Sequence, residues 1–249
     1  MADLFAALGL SPGIWVACFA TVMLSAGVQR LSGQAFGMIA APLVALVAPD
    51  YLPAGLLLLG IVVGFSSTAV DLSAIAVREI VPGFIGRATG AVIAALIAVQ
   101  VGTGAALSTL IGLVVLLAVA LSLGGWRVPI RPATLVGAGV AAGIMGTLTA
   151  VGAPPMAMLY QHEAAKRARA MQNAFFAWGM CVSVLALWWQ GLVTTGHLVF
   201  ALSLVPAVAI GLAVSMPIAK RTERRTIRPF ALGLSTVAAL VLLAKAALA

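Results

Sequence analysis

"GTLTAVGAPPMAMLY", residues 146–160, decides how this chain is read. It closes a charge-free run, 132–162, of the length and polarity that cross a bilayer as helix. Two glycines and a double proline interrupt it, and proline removes a backbone donor that a continuous helix would use. An earlier stretch, "GQAFGMIAAPLVALV" at 33–47, repeats the pattern. At a shift of 113, Gly33/Gly146, Ala40/Ala153, Pro42/Pro155 and Leu46/Leu159 coincide.

The rest of the chain fits a membrane setting. Of 249 residues, 63% are hydrophobic and 8% charged, with a mean hydropathy of +1.18, which excludes an ordinary soluble domain. Charge-free windows cover 4–29, 31–49, 51–70, 88–126, 132–162 and 170–219, and the longest hold two passes each. The N-terminus lacks a basic leader region and carries Asp3, so its first hydrophobic run is expected to be retained as helix. Cys18 and Cys181 lie far apart in apolar runs and read as buried small hydrophobes.

The net charge of +8 sits in short loops, which is the positive-inside pattern rather than a nucleic-acid surface. Four basic loops, 71–87, 124–131, 162–169 and "KRTERRTIR" at 220–228, are placed inside. The linkers "PDYLP" (49–53), "QVGTG" (100–104) and "QGLVTTGH" (190–197) are placed outside. Single passes are then expected near 53–70, 80–100, 104–123, 169–190, 194–216 and 229–248, with Lys245 a mild exception to the charge rule. Of what remains, 132–161 must begin and end inside, because both flanks are basic, and 12–48, if it forms the same kind of hairpin, begins and ends outside; each is then broken at one of the two echoing stretches. The fold class is therefore an all-α integral membrane bundle, each half a broken hairpin, re-entrant or paired, plus three transmembrane helices. The halves, 1–125 and 126–249, form an inverted-topology repeat, an arrangement found in many secondary transporters.

Irregular backbone survives at membrane depth only where protein or a water-filled cavity satisfies it. A half-helix N-terminus in such a break offers free N–H groups and a positive dipole end to an anion. Pro42 and Pro155 suit the first turn of such half-helices, and Gly33, Gly37, Gly146 and Gly152 allow close backbone approach. Gly137, Gly139, Gly143 and Gly146 read equally as a small-residue packing face.

Two broken stretches, "GQAFGMIAAPLVAL" and "GIMGTLTAVGAPPMAML", together with "VPGFIGRATGAVIAAL" at 81–96, resemble the TauE/SafE family of sulfite and organosulfonate exporters. The resemblance implies a multi-pass protein of a bacterial inner membrane that exports small sulfur-containing anions, sulfite or organosulfonates such as sulfoacetate, by alternating access. It implies no enzyme activity and no cofactor.

An ionisable residue inside a membrane is a functional candidate by default. Arg30 and Arg87 could each neutralise a sulfonate oxygen with a forked donor. The competing readings are that Arg30 snorkels or caps a helix and that Arg87, about two turns into its span, marks the cytoplasmic boundary; for Arg87 the boundary is preferred. Gln34, Thr147, Thr149 and Asn173 complete the candidate substrate set with Gly33, Pro42, Gly146, Gly152 and Pro155. Buried amides and hydroxyls also hold helices together. "HEAAK" at 162–166 lacks a second histidine, so no metal site is expected, and no nucleophile or phosphate-binding motif supports an enzyme. No carboxylate maps to the middle of a span, which points to export driven by membrane potential without a proton relay. The expected partners are a small anion and the lipid bilayer; a homodimer stays an open reading. The alternatives are a transporter of another small organic anion or sulfur compound, and a non-transporting membrane scaffold, against which the paired breaks argue.

Overall fold

The computed structural model describes residues 2–101, 104–219 and 224–248, and among these every regular element is a helix. Helix α1 spans Ala2–Leu8, α2 Pro12–Ser32, α3 Phe36–Val47, α4 Ala54–Thr68, α5 Val77–Val101 and α6 Ala105–Leu123. The same order of long, short and three further helices then recurs as α7 (Pro132–Thr149), α8 (Pro154–Tyr160), α9 (Ala165–Trp189), α10 (Thr195–Ala219) and α11 (Arg224–Ala247). Helix boundaries follow local chemistry. Ser11 caps α2 by accepting the Ile14 N–H at 3.3 Å, and Pro12 occupies a first-turn position where its missing donor costs nothing. The Thr134 hydroxyl accepts the Arg131 N–H at 3.0 Å at the start of α7.

Among the described residues, seven helices (α2, α5, α6, α7, α9, α10 and α11) are long and apolar enough to cross a membrane. The protein is a multi-pass membrane bundle. The expected pass at 53–70 is the 15-residue α4, about 22 Å long at 1.5 Å per residue and so shorter than a bilayer core. The expected pass at 80–100 starts earlier, at Val77.

Side-chain contacts sort the loops onto two ends. At one end, Arg169 Nε meets Asp71 Oδ2 at 2.7 Å, Tyr160 Oη donates to Glu79 Oε1 at 2.8 Å, Arg167 pairs with both Glu79 and Glu163, and Gln161 Nε2 donates to the Trp126 carbonyl. These bonds bring together the loops around 71–79, 126–131 and 160–169. At the other end, Tyr51 Oη donates to the Leu8 carbonyl, Tyr51 stacks on Phe200 at 4.2 Å, and His197 Nε2 lies 3.1 Å from the Asp50 carbonyl. The loop charges grouped these same segments. Residues 220–223 of the basic cluster and 102–103 of the outer linker lie outside the described residues. Lys245 donates to the Leu46 carbonyl at 2.8 Å near the end of α3, which gives this cation a local acceptor.

The α2–α3 hairpin begins and ends at the Tyr51 end, and the α7–α8 hairpin begins and ends at the basic end. Packing partners recur in matched pairs: α2 on α10 and α7 on α5, α3 on α11 and α8 on α6, α4 on α10 and α9 on α5, with α4 on α9 and α6 on α11. Glycine permits the closest of these crossings. A Cβ at Gly90 would come 2.9 Å from Gly143 Cα, and one at Gly27 would come 3.0 Å from the Gly211 carbonyl oxygen. Gly139 and Gly143 belong to the α5–α7 face, whereas Gly137 meets nothing within 4 Å.

The two breaks share one local device. Ser32 Oγ donates to the Val28 carbonyl at 2.8 Å and accepts the Gln34 N–H at 3.3 Å, and Gly33 between them has φ +81°. Thr149 Oγ1 donates to the Met145 carbonyl at 2.7 Å and accepts the Val151 N–H at 3.3 Å, and Ala150 has φ +61°. In each case a hydroxyl ends the helix, and the next residue turns left-handed to release the chain. This match sets a shift of 117, Gly33 onto Ala150, in place of the 113 suggested by shared glycines and prolines. The reason is conformational: Gly146 lies inside α7, four residues before the turn. Pro42 is a further correction. It occupies the seventh position of α3, in the helix interior and not its first turn. Pro155 does sit in the first turn of α8, behind Pro154.

Candidate functional site

The two hairpin tips touch. Gly37, in the first turn of α3, lies so close to the Ala150 carbonyl that a Cβ would overlap it, and that Cβ would come 3.2 Å from Val151 Cα. Phe36 and Phe176 of α9 pack edge to face with centroids 6.1 Å apart beside this contact. Helix α9 runs past both tips and supplies polar groups to each.

On the Tyr51 side of the contact lies Arg87. It is 1% exposed and falls two residues short of the midpoint of α5. The boundary reading is therefore wrong for this residue. Because α5 starts at Val77, Arg87 is ten residues deep, about 15 Å along the helix. Its Nη2 donates to the Gly179 carbonyl at 3.3 Å and to Ser183 Oγ at 3.1 Å, both on α9. Ser183 Oγ lies 2.7 Å from Thr147 Oγ1 on α7. Three glycines wrap the guanidinium. A Cβ at Gly146 or Gly179 would overlap it, and one at Gly152 would come 2.6 Å from Nη1.

Nε and Nη1 of Arg87 have no hydrogen-bond partner. The ion pairs among the described residues all lie at the basic end, on Asp71, Glu79 and Glu163, so none neutralises this cation. An uncompensated charge in such surroundings costs several kcal/mol, which an anion set against the open donors would offset. Arginine is the residue for this role because its fork keeps its charge and donates to two oxygens at once.

The basic-loop side of the contact holds amides. Gln29 Nε2 donates to Asn173 Oδ1 at 3.1 Å, and the Phe36 N–H donates to Gln29 Oε1 at 2.9 Å. Gln34 and Gln172 are buried beside them, and a Cβ on Gly33 would come 3.3 Å from Gln172 Cβ.

The structure thus brings Arg87, Gly146, Thr147 and Gly152 together, and separately groups Gly33, Gln34 and Asn173. Thr149 caps the second break and is committed to backbone. Arg30 is half-buried in the last turn of α2, and Pro42 and Pro155 supply backbone shape. The first helix-end donors at the two breaks are already used or missing. Prolines occupy the first two positions of α8 and have no N–H, and Gln29 takes the first N–H of α3. The break also makes room for arginine.

Sequence reasoning missed Gln29, Gly179 and Ser183. A signal was present: Gln172, Phe176, Gly179 and Ser183 recur at helical spacing on one face of α9.

No curated protein and no solved structure matches the chain. A family model described as Sulfite exporter TauE/SafE matches residues 18–242 of 249. The matched segment runs from within α2 to the last turns of α11 and takes in both hairpins, Arg87 and the whole polar face of α9, so the chain belongs to the TauE/SafE family of membrane transporters.

Proposed function

We propose that this protein exports small sulfur-containing anions, sulfite or organosulfonates such as sulfoacetate, and that Arg87 holds the anion in an occluded site between the hairpin tips. One observation carries the reading: a wholly buried guanidinium near the middle of α5 has two nitrogens without hydrogen-bond partners and no carboxylate beside it. The matched helix order and packing pairs support halves at 1–125 and 126–249 related as inverted repeats. Such halves rocking about a fixed central site would give alternating access.

Drive comes from the membrane potential. With the inside negative, moving one negative charge outward gains about 2.3 kcal/mol per 100 mV, roughly fiftyfold in accumulation ratio. Proteoliposome flux tests both parts. Sulfite efflux from the face of the basic loops should follow an imposed potential and fall to background in Arg87→Gln. Flux that requires a pH gradient and ignores voltage removes the potential-driven scheme. Wild-type flux in Arg87→Gln removes the site.

A further inference from the structure

The tip of the first hairpin is lined by buried amides: Gln29, Gln34, Gln172 and Asn173. The orientation of Gln29 and Asn173 is determined by chemistry. The Phe36 N–H can only donate, so Gln29 Oε1 must face it, and Gln29 Nε2 must then face Asn173. Asn173 answers with Oδ1, which turns its Nδ2 elsewhere, where it has no partner. Gln34 Oε1 also has none. These residues are 1% and 7% exposed. One buried donor and one buried acceptor are thus left open at the same tip, and such groups are costly unless something bonds them.

We propose that this tip is a second, uncharged station for the transported anion, on the basic-loop side of the Gly37–Ala150 contact; the proposal rests on Arg87 being the first. Asn173 and Ser183 stand ten residues apart on α9, about 15 Å along its axis, and Phe176 lies between them against Phe36. One anion too small to span that gap occupies one station at a time, and passage between them requires the tips to part. The open groups also select the ligand. Asn173 Nδ2 donates to an oxyanion oxygen, and Gln34, whose amide no hydrogen bond fixes, can turn its own NH2 to another. The station suits a small oxyanion such as sulfite. Lacking formal charge, it binds more weakly than arginine and releases readily, as a stepwise path requires.

Sulfite is the probe, and the full chain in proteoliposomes is the sample. Asn173→Asp keeps the oxygen that Gln29 uses and replaces the open donor with a negative oxygen. Gln34→Leu removes the open acceptor from a side chain with no hydrogen bond of its own. Asn173→Asp should raise the half-saturating sulfite concentration at the basic-loop face at least tenfold and leave it within twofold at the other face. The sulfite-dependent thermal shift of detergent-solubilised protein, which reports the Arg87 station, should persist. Gln34→Leu should raise the same face's half-saturation several-fold. Wild-type saturation at both faces in both variants overturns the proposal and leaves the amides to water. Equal losses at both faces, with loss of the thermal shift, overturn it in favour of a single site. Wild-type flux and thermal shift in Arg87→Gln overturn the Arg87 reading, and the second station with it, whatever the amide variants do.

Discussion

Gly37 of α3 lies in backbone contact with Ala150, the residue that follows α7, so the turns of two hairpins that start from opposite ends of the bundle meet. A side chain at position 37 has no room there, and the obstruction is backbone. Gly37→Val should therefore destabilise the protein by about 1–3 kcal/mol, the usual cost of overpacking, and reduce sulfite flux by more than its effect on folded protein. Thermal melts in detergent and flux per folded molecule separate the two effects.

Arg87 gives a prediction of opposite sign for stability and function. A buried charge without a partner is a liability to the empty protein, and apolar residues of similar volume in place of buried ions often stabilise. Arg87→Met should raise the melting free energy of the anion-free protein by about 1–4 kcal/mol while abolishing flux. Wild-type protein should gain stability as sulfite is titrated, about 2.7 kcal/mol at a hundredfold excess over Kd, and Arg87→Met should gain far less at the same concentration. A melt series with and without sulfite checks both.

The glycines around the guanidinium are distinguishable from an ordinary small-residue face. Gly179→Ala would put a methyl on Arg87 Nε, whereas Gly137 has nothing within 4 Å. Gly179→Ala should lower sulfite affinity at least tenfold. Gly137→Ala should leave affinity unchanged and stabilise the helix by up to about 1 kcal/mol, since alanine is the better helix former. Binding isotherms on the two proteins provide the comparison.

The ion pairs of the basic end should differ in weight. Asp71 is 5% exposed and is held by Arg169, whereas the Arg167 side chain is 41% exposed. Arg169→Ala leaves a buried carboxylate without its cation and should cost about 3 kcal/mol. Arg167→Ala removes a solvated pair and should cost no more than about 1 kcal/mol. Melting curves at one ionic strength rank the pair.

Much of the architecture was legible because its causes are local. A charge-free window reports a membrane segment wherever it packs, and a basic loop reports its side without reference to neighbours. Hence Arg131, Arg167 and Arg169 sorted their loops onto the end where the structure joins them. The echo between 33–47 and 146–160 was read correctly as two breaks but in the wrong register. Shared glycines and prolines drew the eye to Gly146 and Pro42, while Ser32 and Thr149, which end the helices, look like ordinary polar residues in a string.

By itself, then, the sequence determined a multi-pass helical bundle, two interrupted hairpins and the ends from which they start, because hydropathy and loop charge are summed along the chain. Only the tertiary structure decided that Arg87 is deep, that Gly146, Gly152 and Gly179 make its enclosure, and that Gly37 meets Ala150. Depth depends on where α5 begins, and a three-residue shift moves an arginine from the boundary toward the centre. The enclosure depends on backbones from three helices approaching within the width of a missing methyl group. No single segment encodes that approach.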